Sequence, residues 1–133
     1  MPRNDMKYLV VHCSDSPQGR GDNAQTIHAW HLQRGFDGIG YHHVLLEDGT
    51  RQAGRPEYWV GSHVAKHNTL SVGICLIGRE TFTPEQYGEL VSLLRELKGR
   101  YPTAKIVGHC QLDLGKTCPN FDVPAFIKNH GLA

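Results

Sequence analysis

The sequence predicts a single domain over residues 1–133 of class α/β (α+β), with one mixed central β-sheet flanked by helices. Short apolar segments rich in β-branched residues alternate with amphipathic segments of helical period. An Asp-Gly turn at residues 48–49 indicates one antiparallel hairpin within the sheet. A chain of 133 residues, of which 39% are hydrophobic, is long enough to bury one core without disulfide bonds.

Five segments have the composition of strands. The segment at 71–77 is apolar throughout and is expected near the centre of the sheet, whereas 51–53 pairs with the preceding segment across the 47–50 turn. In chain order the predicted strands are residues 8–11, 41–46, 51–53, 71–77 and 105–108.

The second of three predicted helices has the most complete start. Thr83 is placed as N-cap, Pro84 as the first helical residue, and Gln86 for a reciprocal capping box. Apolar residues then recur at helical spacing, which gives the helix one face for packing on the sheet. The helix is expected to end at Gly99 or at the 101–102 step.

The first and third helices are also bounded by capping residues. Asn23 follows a loop rich in Ser, Pro and Gly and can begin a helix that ends at Gly35. Asp122 can begin the last helix, which runs through Lys128 and is ended by Gly131.

Charge and cysteine usage exclude several classes of protein. The net charge of +1, without a basic block, gives no electrostatic reason to expect nucleic-acid binding. The apolar run at 8–11 is too short for a signal peptide or a membrane span, so no membrane insertion is expected. The four cysteines are widely spaced, and Cys13 and Cys75 lie in strand-like runs. Free thiols and a reducing compartment are therefore expected.

Two histidines and a cysteine form a candidate metal site. His12 and His109 stand at or just past the ends of predicted strands, and Cys118 follows in the next loop. Two imidazoles and a thiolate suit zinc, and three protein ligands leave the fourth position open, as in catalytic sites. Side-chain alternation makes Cys13 and Cys110 poorer candidates than the histidines beside them. Spacing alone also allows these residues to be unrelated.

Two further polar residues could act on a developing oxyanion. The phenol of Tyr41 could donate a hydrogen bond to it, and the ammonium of Lys116, two residues before Cys118, could face the same charge. Alternatively, Tyr41 is a packed aromatic and Lys116 a solvated lysine.

An ordered series of motifs covers residues 7–127. They are Val10-Val11-His12-Cys13-Ser14, Trp30-His31, Gly40-Tyr41-His42, Asp48-Gly49-Thr50, Val60-Gly61-Ser62-His63, Asn68-Thr69-Leu70-Ser71-Val72-Gly73, Gly108-His109 and Lys116-Thr117-Cys118-Pro119-Asn120-Phe121-Asp122. In this order they resemble the zinc-dependent N-acetylmuramoyl-L-alanine amidases, specifically the compact phage-lysozyme branch of the group that includes the peptidoglycan-recognition proteins.

The resemblance implies a mixed sheet with one catalytic Zn²⁺ in a shallow surface cleft. It assigns the zinc ligands to His12, His109 and Cys118 and the stabilisation of the transition state to Tyr41 and Lys116. The substrate would be the amide that joins the lactyl group of N-acetylmuramic acid to L-alanine in peptidoglycan. Here Gly-His-Cys-Gln-Leu-Asp replaces the family's frequent Gly-His-Arg-Asp. The orientation of the Lys116 side chain therefore depends on the loop at 110–115.

Substrate contacts are implied for two residues. His63 and Asn68 fall in segments that line the cleft in the resembled family, where polar groups could meet the stem peptide. A surface-loop interpretation of both residues is equally open.

The resemblance implies a phage or prophage endolysin that acts on peptidoglycan, and a monomer is expected. The protein would accumulate in the host cytosol and reach the wall after the membrane is breached. A non-catalytic peptidoglycan-binding module and an intracellular amidase that recycles anhydromuropeptides are the alternatives. Cys118 favours the endolysin, because recognition members lose the third ligand and recycling relatives tend to carry Asp there. Nothing in the sequence indicates a regulatory protein that binds another macromolecule.

Overall fold

The computed structural model describes residues 6–132, and its helices and strands confirm the predicted fold class. In chain order they are β1 (Tyr8–Cys13), α1 (Ala24–Gln33), β2 (His43–Leu45), β3 (Arg51–Ala53), β4 (Ser71–Leu76), α2 (Pro84–Arg100), β5 (Lys105–Gly108), α3 (His109–Leu112) and α4 (Val123–Asn129). The five strands form one sheet in the order β3-β2-β4-β1-β5. β4 and β5 flank β1 in parallel, β2 runs parallel to β4, and the fourth of these pairs, the β2–β3 hairpin, is antiparallel.

Three strands differ in length from their predictions, and of these β4 ends at Leu76, one residue before its predicted end. β1 continues two residues past residue 11, because His12 and Cys13 still pair in parallel with β4. β2 begins at His43 rather than at residue 41. Consecutive amides of Gly54 and Arg55 donate to the carbonyls of residues 42 and 41, whereas a regular antiparallel ladder uses alternate residues.

The predicted caps of α2 are confirmed. Thr83 Oγ1 accepts from the Gln86 amide at 3.1 Å, and Gln86 Oε1 accepts from the Thr83 amide at 2.9 Å. The buried Gln86 side chain also donates to the carbonyls of Leu45 and Ile77, so the cap ties α2 to the sheet. Tyr101 ends the helix, as one of the two predicted stops requires.

The caps of α1 and α4 also lie where the sequence predicts them. Asn23 Oδ1 accepts from the Thr26 amide, and Gly35 follows α1 with a φ of 87°, a left-handed conformation that favours glycine. Asp122 Oδ1 accepts from the Ala125 amide at the start of α4.

Side-chain alternation along β1 separates the core from the functional face of the sheet. Leu9, Val11 and Cys13 pack in the large cluster that α2 covers. Val10 belongs to a different cluster, with Val64 and Val107. Alternation places the side chain of His12 on the same side of β1 as Val10 and on the opposite side from Cys13, as predicted.

Two further features of the structure are the state of the cysteines and the length and composition of the helices. All four cysteines are free thiols, as predicted, and Cys13 and Cys75 are buried. Within residues 6–132, no helix combines the length and the apolar composition that crossing a membrane would need.

Thr83→Ala is expected to lower the free energy of unfolding by about 1 kcal/mol, because α2 loses its N-cap acceptor. The Thr83 hydroxyl also donates to the carbonyl of Glu47, so a bond between α2 and the hairpin turn is lost as well. Urea unfolding followed by circular dichroism measures the change. Thr83→Ser keeps the hydroxyl and is the control; equal midpoints for the two variants would contradict the assignment.

Candidate active site

A cleft of about 680 Å³ opens where β1 and β5 end. The carboxyl ends of parallel strands meet at this edge, which is where open α/β sheets usually bind ligands. All of the site residues expected from the sequence line this cleft: His12, Tyr41, His63, Asn68, His109, Lys116 and Cys118.

Three of these residues form a possible metal-binding group. One ligand atom from each of His12, His109 and Cys118 lies within 4.8 Å of the others. His12 lies in β1, His109 opens α3 directly after β5, and Cys118 belongs to the loop before α4. Within residues 6–132 this is the one such group of His, Cys, Asp or Glu side chains.

Two backbone amides, one at the end of β1 and one in α3, hold Cys118 in place. The Cys13 amide donates to Cys118 Sγ at 3.0 Å, and the Cys110 amide donates to the Cys118 carbonyl at 2.9 Å. The neighbouring Cys13 thiol and burial raise the pKa of the Cys118 thiol. A bound cation would favour the thiolate and so oppose this rise in the pKa of Cys118.

The two imidazoles favour their neutral forms. Burial, with a smaller contribution from His63 and His109, lowers the pKa of His12 well below its usual range. Burial also lowers the pKa of His109, and Lys116 adds to this effect while Asp113 opposes it. Neutral imidazoles keep a lone pair for a metal, so this donor set fits the three-ligand pattern of catalytic zinc sites.

Tyr41 lies against the donor group. Its ring centroid is 5.0 Å from that of His12 and 5.5 Å from that of His31. Burial raises the pKa of Tyr41 well above its usual range, so the phenol keeps its proton and can donate. The backbone just before Tyr41 packs closely against Ser62, since a Cβ on Gly40 would lie 2.0 Å from the Ser62 carbonyl oxygen.

Lys116 lies on an exposed turn at the rim of the cleft. Asp113 orders this turn, because its carbonyl accepts from the Lys116 amide at 3.0 Å and its Oδ1 accepts from the Gly115 amide at 3.1 Å. The loop that carries Lys116 is therefore held from the end of α3.

His63 and Asn68 line the cleft, but they also bond to the protein itself. His63 Nδ1 lies 2.9 Å from His12 Nε2. Asn68 Oδ1 accepts from the amides of His63 and Val64, each at 2.9 Å. A contact of either side chain with substrate stays a prediction.

His31 and Arg34 also line the cleft, without a functional role having been predicted for them. His31 is buried and its Nδ1 accepts from the Gly40 amide at 2.8 Å, while burial lowers its pKa to about 4. A histidine four residues after Ile27, on the buried face of α1, was the feature of the sequence that could have indicated this position.

The family is decided by a comparison with known sequences. The family described as N-acetylmuramoyl-L-alanine amidase (Amidase_2) matches residues 2–121. The chain belongs to this amidase family. The amidase is 37% identical over 134 residues to an endolysin of Enterobacteria phage K11, an alignment that covers 95% of this chain and 88% of the relative.

Solved structures share the fold of the amidase. The endolysin and N-acetylmuramoyl-L-alanine amidase LysCS from Clostridium intestinale superposes with a TM-score of 0.87 at 31% identity, over 97% of this chain and 86% of that one. A mutant of Drosophila PGRP-LB in complex with tracheal cytotoxin gives 0.82 at 27% identity, over 96% and 82%. The resemblance seen in the sequence is confirmed, and the protein is an enzyme with N-acetylmuramoyl-L-alanine amidase activity.

Proposed function

We propose that the amidase uses one zinc ion, held by His12, His109 and Cys118, to hydrolyse the amide between the lactyl group of N-acetylmuramic acid and L-alanine. One observation carries this proposal: the ligand atoms of these residues lie within 4.8 Å of one another. When bound, zinc supplies a water nucleophile near neutral pH and polarises the scissile carbonyl.

Tyr41 and Lys116 stabilise the charge that develops on the carbonyl oxygen. Tyr41 remains a neutral phenol and donates a hydrogen bond from beside His12. Lys116 contributes a positive charge from the rim of the cleft. Groups that are already in place before reaction stabilise such charge without a cost of reorganisation.

The substrate is peptidoglycan, bound along the cleft. A volume of about 680 Å³ lies within the range of pockets that bind small ligands. The complex of PGRP-LB, a peptidoglycan-recognition protein, with tracheal cytotoxin supports a ligand of this class. His63 and Asn68 are retained as proposed substrate contacts because both line the cleft.

The amidase is proposed to serve as a phage endolysin, a single-domain monomer over residues 1–133. Its similarity to a phage endolysin along nearly the whole chain supports this role. Four free cysteines, one of them in the donor group, support accumulation in the reducing cytosol of the host before the wall is reached.

Digestion of purified peptidoglycan tests the reaction. The zinc-loaded amidase is expected to release new L-alanine amino termini, and prior treatment with a chelator is expected to abolish the release until zinc is restored. Amino-terminal labelling and a reducing-sugar assay are run on the same digests. New reducing sugars without new amino termini would contradict the proposed bond, and activity that survives complete removal of metal would contradict the role of zinc.

A further inference from the structure

His63 lies directly behind the donor group and begins a chain of three polar contacts. Its Nδ1 is 2.9 Å from His12 Nε2, and its Nε2 is 3.1 Å from Ser71 Oγ. Ser71 Oγ lies 2.7 Å from the carbonyl oxygen of His67. These contacts connect His63 with a residue of the donor group, while His63 also lines the cleft.

The contact between Ser71 and the His67 carbonyl sets the donor-to-acceptor direction of all three hydrogen bonds. Each contact joins two electronegative atoms and requires one proton between them. A carbonyl oxygen can only accept, so the Ser71 hydroxyl donates to His67. Because a hydroxyl has one proton, Ser71 Oγ then accepts from His63 Nε2. When the His63 imidazole carries a single proton, that proton is on Nε2, and Nδ1 then accepts from His12 Nε2.

We propose that His63 is a positioning residue that holds His12 in its Nε2–H tautomer and leaves Nδ1 of His12 as the nitrogen that binds zinc. The inference rests on the proposed function, because it takes His12 to be a zinc ligand. An imidazole that donates its second N–H to a fixed acceptor has its tautomer and its ring orientation set before the metal arrives.

The packing around His63 restrains its ring independently of the hydrogen bonds. A Cβ on Gly73 would lie 2.6 Å from His63 Cγ, and a Cβ on Gly61 would lie 2.7 Å from His63 Cδ2. The ring therefore occupies space that these two positions leave open only as glycines. Asn68 adds a third restraint, because its Oδ1 accepts from the amides of His63 and Val64.

The tautomer of His12 is read directly by long-range ¹H–¹⁵N NMR of the full chain, first without metal and then with Zn²⁺. The expected spectrum has a protonated Nε2 on His12 in both states, with the chemical shift of Nδ1 changing when zinc is added. A proton on His12 Nδ1, or zinc bound at Nε2, would overturn the proposal. This measurement uses the unaltered protein, so it does not depend on any variant folding.

Zinc affinity, measured by competition with a chromophoric chelator, tests the same residue by substitution. His63→Leu fills the space without an acceptor and is expected to weaken zinc binding roughly 10- to 100-fold. His63→Asn retains an oxygen near the position of Nδ1 and is expected to restore most of that loss. Equal affinities for the leucine variant and the wild type would overturn the proposal, as would an asparagine variant as weak as the leucine variant.

Ser71 provides an independent test with a matched control. Ser71→Ala removes the acceptor that sets the orientation of His63 and is expected to weaken zinc binding, whereas Ser92→Ala, on the exposed side of α2, is expected to leave it unchanged. Equal affinities for the two alanine variants would overturn the proposal. A wild type that binds no zinc would refute the proposed function itself, while tight binding that is insensitive to His63 would refute only this inference.

Discussion

Cys118→Ala is expected to leave the amidase without stoichiometric zinc and without measurable hydrolysis of peptidoglycan. The substitution removes the one sulfur from the proposed set of three ligands, so two imidazoles alone would have to hold the cation. The loss should exceed the roughly 10- to 100-fold decrease that is typical when a partner behind a ligand is removed. Zinc content by elemental analysis and release of L-alanine amino termini are measured on the same preparation.

Cys110→Ala is the matched control for this substitution. Cys110 lies in α3, in the same segment, and it contacts the Cys118 loop through its backbone amide, which the substitution preserves. The variant should keep both its zinc and its activity. Retention of one zinc ion per chain by Cys118→Ala would show that Cys118 is not a ligand.

Tyr41→Phe is expected to lower kcat about 100- to 1000-fold with little change in zinc content, because it removes one proposed donor to the developing oxyanion. The ring remains, so its packing against His12 and His31 is preserved and the fold should be unaffected. Steady-state kinetics on a soluble muropeptide separates kcat from KM. The expected signature is a fall in kcat without a matching rise in KM.

Tyr58→Phe controls for the loss of a tyrosine hydroxyl as such. The Tyr58 side chain is 54% exposed and does not line the cleft of the donor group. Its kinetics should match those of the wild type. If Tyr41→Phe retained the wild-type kcat, or lost its zinc, a role in stabilising the oxyanion would be contradicted.

Local rules predicted most of the fold because each element carries its own markers. Thr83 and Gln86 form a reciprocal cap whose two residues are three apart, so the start of α2 is visible in the sequence. α3, in contrast, has only four residues, too few to show a helical period, and was not predicted. The irregular start of β2 was also missed, because it depends on bonds from Gly54 and Arg55 across the hairpin.

Less of the candidate site could be predicted from local sequence patterns, because its residues are far apart in the sequence and meet only in the folded chain. Imidazole and thiol chemistry singled out His12, His109 and Cys118, but a distance between side chains cannot be derived from spacing. The ordered motifs, through their resemblance to a known family, indicated that these three residues belong to one site, which imidazole and thiol chemistry alone did not. They did not reveal that His63 bonds to His12, since the two residues are 51 positions apart and His63 lies in the loop before β4.

X-ray absorption at the zinc edge of the zinc-loaded amidase tests the central claim most directly. The account predicts one zinc ion with one sulfur ligand at about 2.3 Å and two imidazole nitrogens at about 2.0–2.1 Å, with the remaining coordination by a light atom. The sulfur contribution should disappear in Cys118→Ala and persist in Cys110→Ala. A zinc ion coordinated only by nitrogen and oxygen in the wild-type protein would contradict the proposed site.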